Sequence, residues 1–143
     1  MDQAKATTPT PTTMQADARA SYDRATALAA RLVDRSRVLP MSVDVATFGG
    51  PYIVRLHFGP GLEAGRAVLD IASTADGDAV RDEAASCTGD WIECRTVIDG
   101  VPVVARALLT KAHADELMQQ TPPTPAAPAA QPVPLAASAL ARP

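Results

Sequence analysis

Aromatic side chains are scarce in this chain of 143 residues: one Trp, two Tyr and two Phe, at Trp91, Tyr22, Tyr52, Phe48 and Phe58. Any core must therefore be assembled from Ala, Val and Leu, with little aromatic area to fill gaps. Cysteine is as rare. Cys87 and Cys94 are too few for a disulfide framework in a domain of this size, so the thiols read as reduced and the expected address is cytoplasmic. No stretch approaches the 18 or so apolar residues of a membrane span, and the N-terminus offers no apolar segment of the kind a secretory signal needs. A membrane partner is not expected.

Charge of one sign is also missing. The formal net charge is −3, but its distribution is uneven. Between Met14 and Leu39 the cations Arg19, Arg24, Arg31, Arg35 and Arg37 outnumber Asp17, Asp23 and Asp34. From Pro40 to Gln120 acids outnumber bases two to one. A duplex-binding protein needs a basic stripe along the surface that meets phosphates. Only one helix could supply it here, with charges of mixed sign, so nucleic acid is disfavoured. The richness in Ala, Arg, Asp and Val is the bias of a high-GC bacterial genome and says nothing about activity.

Both ends are poor material for a core. Residues 1–13 are largely Thr, Pro and Ala, and residues 121–143 are a Pro/Ala-rich tail; both are expected to be disordered, the tail serving as a spacer. A single α+β domain over residues 14–120 remains.

The strongest local signal is Asp99-Gly100 between two apolar runs. A type I′ turn requires positive φ at both central residues, and this pair meets that need best. The turn sets Ile98 opposite Val101, Val97 opposite Pro102, Arg95 opposite Val104 and Glu93 opposite Arg106. Ile92, Cys94, Thr96, Ile98, Val101, Val103, Ala105 and Ala107 then share the core face, and a charge pair sits on the other. Pro102 falls at a non-hydrogen-bonded position, which places this last strand at a sheet edge near its start.

Upstream, Tyr22, Ala25, Ala29, Leu32 and Val33, with Leu28 beside them, mark one face of a long helix that Pro40 ends. Its first turns reach beyond so small a body. Met41–Thr47 and Tyr52–Phe58 alternate around Phe48-Gly49-Gly50-Pro51 and predict a second hairpin, with Asp44 opposite Arg55 and Ser42 opposite His57. Leu62 to about Ala75 predicts a helix over a competing strand, from its length and Ala content. Thr74–Asp90 reads as an acidic connection with a short helical turn around Ala79–Ser86, and Lys111–Gln120 as a short closing helix. The fold expected is α+β: a long N-terminal helix, then hairpin, helix, hairpin (α-β-β-α-β-β) and a short C-terminal helix. The sheet is expected to be largely antiparallel and four-stranded, with helices on one face.

Candidate sites are few. Gly59-Pro60-Gly61-Leu62-Glu63-Ala64 fits G-x-G-x-x-A between a strand and a helix, where a phosphate could meet the helix N-terminus near Arg66. Against it, the strand belongs to a hairpin, Pro60 lacks an amide donor, and Glu63 brings negative charge to the spot. Asp76, Asp78, Asp82 and Glu83 lack the spacing of a calcium loop. Cys87, Cys94, His57 and His113 lack the spacing of a zinc site. No metal or cofactor is expected. His57 has Asp44 nearby, but no nucleophile or pocket beyond Ser42. Trp91 and Leu108 leave apolar area on the outer sheet face.

With no coherent catalytic set, the sequence points away from an enzyme. It points towards a non-catalytic protein-protein interaction or assembly module, self-associating or docking a partner through the first helix and the Trp91 face. Tyr22, Leu28, Leu32, Trp91 and Leu108 are the candidate interface residues. The alternative is a small-ligand or nucleotide-binding domain using Gly59, Gly61 and Arg66.

Overall fold

The structure is a computed structural model and describes residues 11–83 and 89–120; the segments 1–10 and 121–143, Cys87 and the end of the Ala79–Ser86 stretch lie outside these. Its elements are α1 (Pro11–Arg35), β1 (Ser42–Ala46), β2 (Ile53–Phe58), α2 (Leu62–Thr74), β3 (Ala79–Asp82), β4 (Asp90–Ile98), β5 (Val101–Leu109) and α3 (Lys111–Gln120). The class is α+β, as expected.

Asp99 and Gly100 adopt φ of 51° and 77°, the pair of positive values that a type I′ turn demands. The β4–β5 ladder runs from Ile98 opposite Val101 through Glu93 opposite Arg106 to Asp90 opposite Leu109. In the first hairpin Ser42 faces His57, Val43 faces Leu56 and Asp44 faces Arg55. Both registers match the alternation read from sequence; the buried face of β4–β5, and of β2 in the first hairpin, would be exposed by a one-residue slip, whereas β1 has no buried residue.

The sheet itself differs from expectation. It has five strands rather than four, in the order β1-β2-β5-β4-β3, and the β2–β5 pair is parallel. The fifth strand, β3, replaces the helical turn expected around Ala79. Its sequence Ala-Val-Arg-Asp sets Ala79 and Arg81 on one side and Val80 and Asp82 on the other, so neither side is apolar and the alternation carries no signal. Pairing with β4, from Ala79 opposite Cys94 to Asp82 opposite Trp91, decides the conformation. β5 is therefore central, not an edge. Pro102 fits there because the parallel ladder with β2 starts one residue later, at Val54 opposite Val103.

All three helices cover one face of the sheet. The core joins Ala25, Leu28, Ala29 and Leu32 of α1, Val68 and Ile71 of α2 and Leu117 of α3 to Val54, Leu56, Ile92, Cys94, Val103 and Leu109. Gly65 makes the close approach possible: a Cβ there would lie 2.8 Å from side-chain carbons of both Leu109 and Leu117. One carboxylate is buried with this layer. Asp90, fully enclosed, accepts from Arg81 at 2.8 Å and from Lys111 at 3.0 Å, and Arg81 also donates to Asp115 at 2.7 Å. The cluster ties the edge strand β3 to α3.

Candidate functional site

Two surfaces are left without a covering layer among the described residues. The first is the N-terminal part of α1. Every side chain from Thr12 to Ala20 is exposed, over a length of roughly 13 Å. The helix is tied to β2 through Ser21, whose Oγ accepts from the Tyr52 amide at 3.0 Å, and Tyr22, whose ring stands edge-on to Tyr52 at 5.3 Å. Tyr22 remains 40% exposed. Further along, Arg31 donates to Asp99 in the β4–β5 turn at 2.7 Å. Leu28 and Leu32, candidates for an interface by sequence, are turned into the core beneath the helix. They occupy the stripe that holds α1 to the sheet, so the most exposed part of this helix is its earlier turns.

The second surface is the sheet face opposite the helices. Across it run His57, Arg106, Glu93 and Val80 in one row, with Leu108, Trp91 and Asp82 in the next. Trp91 and Leu108 are half-buried and directly paired. The Arg106 guanidinium lies 4.7 Å over the Trp91 ring, a cation–π contact, and its Nε donates to His57 Nε2. That hydrogen bond requires His57 to be neutral with its proton on Nδ1. Burial and the neighbouring Arg106 charge both push the His57 pKa below its usual value, consistent with that state. The lone pair a general base would use on Ser42 is thus engaged by Arg106. Glu93, opposite Arg106 in the ladder, pairs instead with Arg95 at 2.5 Å. Sequence pairing anticipated Glu93 with Arg106; the approach of His57 to Arg106 was not legible, since it depends on β2 lying beside β5.

The glycine turn is explained by backbone geometry. Gly61 at the start of α2 has φ of 112°, a conformation few other residues tolerate. The cations around it are already engaged. Arg66 binds Glu63 and, at 2.9 Å, Gln120; Arg37 binds Asp70 at 2.7 Å and Glu63 at 3.4 Å. Hydrogen bonds from Arg66, and then from Arg37, hold the Glu63 carboxyl below its usual pKa. An incoming phosphate would have to compete with that carboxylate for both guanidinium groups.

Cys94 belongs to the core on the helix side, where burial raises its thiol pKa, whereas His57 lies on the opposite face. Among the described residues no three His, Cys, Asp or Glu side chains form a group able to hold a metal ion, and no helix is long and apolar enough to cross a membrane. Comparison with protein-family models, with curated proteins and with solved structures gives no match.

Proposed function

We propose that this domain is a non-catalytic assembly module that binds a second copy of itself, with the early turns of α1 as principal contact and the Trp91 face as a lesser one. The observation that carries the reading is the exposure of every side chain from Thr12 to Ala20 in an otherwise continuous helix. Helix propensity alone holds such a segment only marginally, because most helical stability in proteins comes from packing. A second helix or sheet laid against Met14, Ala18 and Tyr22 supplies that packing. Met14 is 59% exposed and lies one and two turns ahead of Ala18 and Tyr22, on the same side of the helix.

The Trp91 face is smaller in promise. Arg106 already covers part of the ring, and Arg95, Glu93 and Asp82 rim it with both signs of charge.

Molar mass by light scattering across a concentration series tests the reading. A dimer or larger species is expected, converted to monomer by Met14→Asp with Ala18→Asp, two exposed positions whose change leaves the core intact. A monomer at every concentration would overturn it.

A further inference from the structure

The two edges of the sheet differ in how they meet solvent. Edge strands expose a row of unpaired backbone donors and acceptors, and proteins protect them with charge, proline or cover. β3 carries such protection: Asp82 and Glu83 at one end, Asp76 and Asp78 just before the other, with Arg81 drawn inward to Asp90. Two copies of β3 brought together would oppose like charges. β1 carries less of it, with Pro40 just ahead of the strand and α1 packed against its helix side. Asp44 is the lone charge in Ser-Val-Asp-Val-Ala; Val43 on its helix side is 41% exposed, and Leu39 and Met41, which lead into the strand, are 76% and 75% exposed.

α1 points the same way. Ser21 is bound at the start of β2, and Arg31 at the β4–β5 turn. In the strand order β1-β2-β5-β4-β3 the helix therefore runs away from β1 as it proceeds. Traced backwards, the helix leads past β2 towards β1, against which it also packs, and its early turns are exposed.

We infer that β1 pairs antiparallel with β1 of a second copy, joining two sheets into one of ten strands. This rests on the self-association reading and specifies the geometry of its principal contact; the Trp91 face on β4 lies outside that contact. With a two-fold axis normal to the sheet at Val43, Val43 faces Val43 of the second copy, Met41 faces Val45 and Ser42 faces Asp44. The apolar residues then meet on the helix side, and each carboxylate meets a hydroxyl rather than its own copy, as it would with the axis at Asp44. Both α1 helices lie on that same side. The exposed early turns of each one then face the edge where the other copy's β1 joins, so a single contact covers the exposed helix and the exposed strand.

Val43→Cys tests the register, since an antiparallel pair brings facing Cα atoms to about 4.5–5.5 Å, within disulfide range. Mild oxidation should give a covalent dimer for Val43→Cys, but not for Val80→Cys on the other edge or for the wild-type chain with Cys87 and Cys94. Leu39→Lys with Met41→Lys, both at exposed positions outside β1, should raise the dimer dissociation constant about tenfold or more with an unchanged circular-dichroism spectrum. A dimer unaffected by the two lysines and not cross-linked at position 43 would overturn the β1 contact while leaving self-association standing. A monomer throughout would overturn both.

Discussion

Asp90 shows how much of this molecule depends on single side chains that composition does not reveal. Its carboxylate is enclosed, and hydrogen bonds from Lys111 and Arg81 hold its pKa below the usual range. A carboxyl with a depressed folded-state pKa contributes stability that is complete above its unfolded value, near 4, and is lost as pH falls through the folded value. Thermal stability should therefore fall as pH drops from about 4 towards the folded pKa. Asp90→Asn should lower stability at pH 7 and flatten that acid limb, as read by melting temperature across a pH series. An acid limb as steep in the variant as in the wild type would contradict the account. In the sequence Asp90 is one acid among several in an acidic stretch. Its role appears only when β3 and α3 bring Arg81 and Lys111 to it.

Among the elements, legibility followed the contrast between buried and exposed faces. The two hairpin registers were readable because Val54, Leu56, Val103 and Ala105 alternate with polar or half-exposed neighbours. β3 was unreadable because each of its faces mixes one apolar and one charged residue. α2 was readable as a helix, yet the reason for glycine in its middle was not. Gly65 lies where Leu109 of β5 and Leu117 of α3 converge, so the helix packs closer than alanine would allow. Gly65→Ala would gain helix propensity on its own, but the overpacking term should win, giving a net destabilisation of about 1–3 kcal/mol by denaturant titration. A stabilised variant would mean that both leucines move aside freely.

For the whole molecule, the parallel β2–β5 contact is the feature local patterns could not supply. It joins residues separated by α2, β3 and β4, and it decides which strands become edges and which face takes the helices. From it follow β1 as an edge, the meeting of His57 with Arg106, and the direction in which α1 crosses the sheet. The sequence did indicate a helix too long for the body, and that helix is the part on which the functional reading depends. Of the residues named as interface candidates, Tyr22 and Trp91 keep exposed surface, whereas Leu28 and Leu32 lie in the core, which only the sheet beneath the helix reveals.

The central claim is that the early turns of α1 are held by another copy of the chain. Amide hydrogen exchange of residues 12–20 at low and high protein concentration tests it most directly. The account predicts exchange that slows as concentration rises, while amides of β4 and β5 in the core remain unchanged. Rapid exchange in these turns at every concentration would contradict it.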